Sequence, residues 1–279
     1  MQIKVKTPAK INLTLEIEGK REDGFHNIKS IMQMINLYDI LTFDIEKSEK
    51  TEIILSGTNP NIPYDEHNLV YKAIKLFMEK TNMPPHKISV HLEKNIPTEA
   101  GLAGGSSNAA GTFLVLNKYF NNVLSKEELH ELCAKLGSDL NVCLEGGCIL
   151  ATGRGENVKH LPFKEYPVSL IKPPVGVSAK EAYQKYASIK NKQKYHNTEI
   201  ITAFIGQDKD ISPFLYNDLE TAIYGDYEEM HKIKSFNPDA VMTGSGSTYF
   251  VLSEKINPVE DFWTAQNLKT IPTGCEIID

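Results

Sequence analysis

The chain has 279 residues, of which 41% are hydrophobic and 24% charged, with a net charge of -6. This is a globular balance, long enough for one large domain or two ordinary ones and for a core that needs no staples. The acidic surplus argues against a wide basic field for nucleic acid, so an anionic ligand requires a local positive site. The first residues, MQIKVKTPAKINL, lack the apolar stretch of a signal peptide. No window approaches the ~18 apolar residues of a membrane span, so a cytoplasmic protein without a membrane partner is expected. Cys133, Cys143, Cys148 and Cys275 make no C-x-x-C pair, and buried reduced thiols are expected rather than disulfides or a metal site.

In chain order, residues 3–6 and 11–17 read as strands interrupted by Pro8, and residues 23–25 as a glycine turn. Residues 31–37, 40–45 and 53–55 read as further strands. A helix is predicted over 69–81, with Leu69, Ala73, Leu76 and Phe77 on one face, followed by a strand over 88–92. After the glycine-rich turn 101–105, residues 106–119 carry Ala, Leu and Phe at helical spacing. Ser125 opens a capping box ahead of a helix through Lys135. Residues 148–152 form a strand closed by Gly153. Prolines at 162, 167, 173 and 174 mark a change of character, and a boundary is placed at 157/158, giving domains 1–157 and 158–279. The Lys-rich run 190–196 reads as an exposed loop. Strands and helices mix without regular βαβ alternation, which favours α+β.

The segment Pro97–Ala110, PTEAGLAGGSSNAA, carries the clearest chemistry. Gly101, Gly104 and Gly105 let backbone amides approach a ligand, and the helix that follows presents its positive end to an anion. Ser106 and Ser107 add hydroxyls for phosphate oxygens or a metal ion. A serine-capped turn is the bland alternative and the weaker one. No G-K-[ST] closes the loop, and no G-x-G-x-x-G is present, so neither a Walker A loop nor a dinucleotide site is expected.

Three segments together resemble the motifs of the GHMP kinases: PAKINLTL at 8–15, IPTEAGLAGGSSNAA at 96–110 and AVMTGSGSTYFVL at 240–252. Within that superfamily, REDGFH at 21–26, DEHNLV at 65–70, GSDL at 137–140, GRGE at 153–156 and NDLE at 217–220 resemble the diphosphocytidyl-methylerythritol kinases. Phe25, Asn141 and Ser247 depart from the residues common there, namely Tyr, Pro and Pro. The resemblance implies a two-domain fold, with a ribosomal S5 domain 2-like N-terminal part and a ferredoxin-like C-terminal part. It also implies ATP-dependent phosphorylation of a hydroxyl on a cytidine-diphospho-polyol, with Mg²⁺ accompanying ATP. By the same resemblance Asp139 is the base and Lys10 its partner. Asn12, on the same strand face as Lys10, is a hydrogen-bonding neighbour. His26 reads the cytosine, with Phe25 and Tyr183 as rings beside it. Asn68, Lys94, Pro97, Leu102, Gly244 and Gly246 join the phosphate loop in binding ATP, and Ser107 is the candidate metal ligand. A solvated strand end remains the competing reading of Lys94, and a core position that of Tyr183. The functional alternatives are another GHMP kinase of the mevalonate or homoserine type, or a non-catalytic binding protein on the scaffold. A monomer or homodimer is expected.

Overall fold

The computed structural model describes residues 1–190 and 192–278. The elements in chain order are β1 (Gln2–Lys20), β2 (His26–Lys47), β3 (Glu52–Gly57), α1 (Leu69–Thr81), β4 (His86–Glu93), α2 (Gly104–Tyr119), α3 (Lys126–Leu136), α4 (Leu140–Glu145), β5 (Cys148–Gly153) and β6 (Asn157–His160). There follow β7 (Pro167–Lys172), α5 (Ala179–Ser188), α6 (Asn197–Phe204), β8 (Tyr216–Asn217), α7 (Asp218–Ile223), α8 (Glu228–Phe236), β9 (Val241–Met242), β10 (Tyr249–Val251), β11 (Trp263–Lys269) and β12 (Glu276–Ile278). The run 190–196, read as a loop, contains Asn191, which lies outside the described residues, as does Asp279 at the end of the second predicted domain.

The larger sheet has eight strands, with the path β12-β1-β2-β4-β3 and with β5, β6 and β8 paired beside it. The second has four, ordered β11-β7-β10-β9. Strand β12 returns from the far end of the chain to pair antiparallel with β1. The mixture of strand runs and helices is the expected α+β class. The helices α1 to α4 pack on one face of the larger sheet around Phe43, Phe77, Phe113 and Leu132. The second sheet covers part of the other face through Val168, Leu170 and Phe250, against Ala9, Ile11 and Leu13.

Strand β1 does not break at Pro8, contrary to the sequence reading. It runs through, with a register shift between Pro8 and Ala9, where the pairing jumps from Tyr38 to Ile35. A bulge tolerates proline because the ladder there lacks a bond to lose. Its consequence is a change of face. Before the shift, Ile3, Val5 and Thr7 point toward the helices, Thr7 bonding Asn108 of α2 at 2.7 Å. After it, Ala9, Ile11 and Leu13 point toward the second sheet, so Lys10 and Asn12 take the helix side. The pairing skips two residues of β2, Asn36 and Leu37, and the faces of β1 exchange across this irregularity, which turns a lysine inward.

The capping box at Ser125 forms as expected, with both reciprocal bonds to Glu128. Helix α2 begins two residues earlier than the spacing predicts, at Gly104. The four cysteines are free and buried, as expected.

Candidate active site

A cleft of about 930 Å³ opens between the phosphate-loop region and α5. Its floor is built where three distant segments meet. The Lys10 ammonium donates to Asn12 Oδ1 at 2.7 Å and to the Gly101 carbonyl at 2.9 Å, and lies 3.5 Å from Asp139 Oδ2. Its side chain is 3% exposed and that of Asp139 29%. The Asn12 amide N–H donates to Thr243 Oγ1 at 2.9 Å, and the Asn12 side-chain NH₂ to Ser30 Oγ at 2.8 Å. Thr243 Oγ1 in turn lies 3.4 Å from the Gly101 carbonyl. Strand β1, the glycine loop and the loop after β9 are thereby tied at one point.

Two glycines make that approach possible. Gly101 has φ +69°, and a Cβ on it would come 2.0 Å from the Thr243 carbonyl oxygen. Gly244, φ +55°, lies so close that a Cβ would sit 2.8 Å from the Gly101 oxygen and 3.1 Å from Lys10 Nζ. Only a residue without a side chain fits either position.

Asp139 occupies the N-cap of α4, yet its carboxylate makes no capping bond. The cap position aims it toward the cleft while leaving it available. Helix α2 starts from Ala103, a left-handed residue at φ 57° that also supplies no side-chain cap. The first-turn amides of α2 therefore face the cleft without a partner from the cap, which is the geometry that accepts an anion. Lys94 adds positive charge beside them: a Cβ on Gly104 would meet its Nζ at 3.0 Å.

Lys94 is not a solvated strand end. It is buried and paired with the fully buried Asp39 at 2.8 Å, and it also donates to the Ile96 carbonyl. Asp39 accepts from the amides of Asn95 and Ile96 at 2.7 and 2.8 Å. Burial pushes the Lys94 pKa below its usual range, against the opposing pull of Asp39. Asn68 caps α1, accepting from the Val70 amide and donating to the Pro63 carbonyl, so both ends of its side chain are engaged locally.

Pro97, Leu102, Gly104, Gly105, Ser106, Asn68, Lys94 and Gly244 line the cleft together with Lys10, Asn12, Phe25, His26, Asp139 and Tyr183. Ser107 and Gly246 do not. The serine pair divides: Ser106 faces the cleft, whereas Ser107 is fully buried with its hydroxyl 3.7 Å from Cys275 Sγ. Ser107 as a metal ligand is corrected on this ground, because successive helical residues point about 100° apart and the second is turned into the core. Tyr183 stacks on His26, with centroids 5.3 Å apart and planes 20° apart. Phe25 is 52% exposed, with the Arg154 guanidinium 4.8 Å from its centroid. Burial, then Lys20 and Lys192, lower the His26 pKa and favour the neutral ring.

Sequence reasoning missed the supports. Asn217 donates to the carbonyls of Met242 and Gly244 at 2.7 and 2.8 Å, bracketing Thr243. Glu220 accepts from the Met242 amide at 2.9 Å. The segment NDLE was legible only as a resemblance, since its partners are backbone groups more than twenty residues away.

A family model described as GHMP kinases N terminal domain matches residues 68–148. Over 262 residues the chain is 43% identical to a 4-diphosphocytidyl-2-C-methyl-D-erythritol kinase of Bacillus cereus, spanning 90% of this chain and 88% of the relative. The chain belongs to that kinase family. A relative of the same description from Thermoanaerobacter pseudethanolicus is 38% identical across 100% of this chain and 99% of its own length. Among solved structures, a crystal structure of 4-(cytidine 5'-diphospho)-2C-methyl-D-erythritol kinase superposes with a TM-score of 0.72 at 28% identity, covering 90% of each chain. A homoserine kinase from Cytophaga hutchinsonii gives 0.76 at 18% identity over 99% and 97% of the two chains, a likeness of fold alone. The protein is a small-molecule kinase of the GHMP fold, and ATP is its co-substrate by family. Among the described residues no helix is long and apolar enough to cross a membrane.

Proposed function

We propose that the chain transfers the γ-phosphoryl group of ATP to the 2-hydroxyl of 4-diphosphocytidyl-2-C-methyl-D-erythritol, giving the 2-phosphate and ADP in the cytoplasmic non-mevalonate route to isoprenoid precursors. The observation that carries it is the Lys10–Asp139 pair held at 3.5 Å against the Gly101 carbonyl, with the relatives' shared description supplying the acceptor.

Phosphoryl transfer asks for alignment, charge neutralisation and a place for the hydroxyl proton. In this reading the α2 amides, Gly104, Gly105 and Ser106 cradle the ATP phosphates, with Lys94 adding charge beneath them. Pro97, Leu102, Asn68 and Gly244 shape the nucleotide side; Gly246 stands behind them, off the cleft lining. Asp139 accepts or orients the acceptor hydroxyl, and Lys10, fixed by Asn12, keeps that carboxylate ionised and steadies charge on the transferring group. A neutral His26 offers one ring donor and one acceptor, which suits the cytosine edge. Tyr183 holds that ring flat, and Phe25 covers the opening. Asp139 and Ser106, which both line the cleft, would hold a Mg²⁺ ion carried in with ATP. When bound, such an ion would neutralise phosphate charge. A two-domain division near 157/158 is part of this reading, with β6 (Asn157–His160) and residues 276–278 both joining the first sheet.

ATP consumption measured with the cytidine-diphospho acceptor beside mevalonate, homoserine and galactose tests this directly. Turnover is expected with the first alone; preference for any other alcohol would reject the assignment.

A further inference from the structure

Helix α5 supplies much of the acceptor side of the cleft through Ala179, Lys180, Tyr183 and Gln184. What fixes its near end is the turn 173–178, and that turn is gripped from three directions. The fully buried Ser247 hydroxyl donates to the Val175 carbonyl at 2.5 Å. The Lys172 ammonium donates to the same carbonyl at 3.2 Å and to that of Pro173 at 3.0 Å. Glu99, a non-glycine residue at φ 49°, lies against Gly176 so closely that a Cβ there would come 2.4 Å from its Oε2.

The provenance of these groups gives the arrangement its meaning. Glu99 belongs to the phosphate loop and Ser247 to the loop that packs on it, both on the nucleotide side. The turn they hold leads directly into the helix whose Tyr183 stacks on His26. We infer that Ser247 is a positioning residue for the acceptor, setting α5 through the Val175 carbonyl and tying the acceptor wall to the nucleotide loops. This rests on the functional reading above.

Ser247→Ala removes the hydroxyl and keeps the backbone. Loss of one buried hydrogen bond at a single carbonyl is worth roughly tenfold in an equilibrium. The acceptor KM is expected to rise about tenfold, while kcat and the ATP KM stay within about twofold, a split that a general loss of folding does not produce. Lys172→Met, measured alongside, should raise the same KM. The double variant should fall short of the product of the two, because both side chains hold one oxygen. An acceptor KM unmoved in Ser247→Ala, or an equal rise in both Michaelis constants, overturns the inference. Absence of turnover by the unaltered chain overturns the functional reading with it, whereas turnover with an unmoved acceptor KM overturns this inference alone.

Discussion

An ammonium has three protons to place, and the Lys10 group finds Asn12, the Gly101 carbonyl and Asp139 around it. Its orientation is therefore set from three segments of chain at once. Asp139 by contrast contributes no capping bond to the helix it starts, so a change there leaves the start of α4 intact, although the buried Lys10 ammonium loses its counter-charge. Asp139→Asn keeps the shape and removes the proton acceptor. Single-turnover rates on the folded variant should fall by ~10²–10⁴ with both substrates still bound. Because Lys10 acts on the same carboxylate, adding Lys10→Ala should cost much less than it does alone. Near-normal chemistry in the Asn variant would remove Asp139 from the base role, and loss of substrate binding would make it structural.

At the scale of elements, the loop carrying Thr243 and Gly244 has little regular structure of its own. Asn217, the N-cap of α7, bonds the carbonyls on either side of Thr243. Asn217→Ala would orphan two buried carbonyls and a cap. It should lower stability by about 2 kcal/mol, read as an earlier denaturant midpoint, and loosen ATP binding in parallel. An unchanged ATP KM with the stability loss would confine Asn217 to folding. The features legible in the sequence were those whose cause is local. The Ser125 capping box, the glycine loop and the α1 periodicity each depend on residues within a few positions of one another. The features that escaped depend on distant partners. Pro8 read as a break because a bulge is defined by the opposing strand, here β2. Lys94 left a solvated reading open because its counter-charge, Asp39, lies 55 positions away. Lys10, Asp139 and His26 stood out only in combination, through a resemblance, because each residue type alone is common on surfaces and in turns.

At the scale of the whole molecule, α4 runs from Asp139 to a charge cluster on the far side. Glu145 accepts from Lys126, His130 and His160 at 2.7, 2.6 and 2.9 Å. Burial resists its ionisation, but the hydrogen bonds from Lys126, His160 and His130 outweigh that and bring its pKa from 4.5 to about 2. A carboxyl with a depressed pKa stabilises the fold fully above its unfolded value and loses that contribution as pH falls through the folded one. Thermal melts of the unaltered chain and Glu145→Gln should therefore differ most above about pH 5 and converge toward pH 2. A gap that stays constant over that range would show that the cluster carries no linkage. Strand β1 joins the scales. Ile3 and Val5 lie in the helical core, Ala9, Ile11 and Leu13 between the sheets, and Leu15 in the third cluster around Met242 and Tyr249. Local fluctuations open a protein one cooperative unit at a time, but no single unit owns this strand. Opening the helical core or the third cluster alone leaves Ala9 and Ile11 seated between the sheets on either side of Lys10, so the ammonium keeps its station through such breathing.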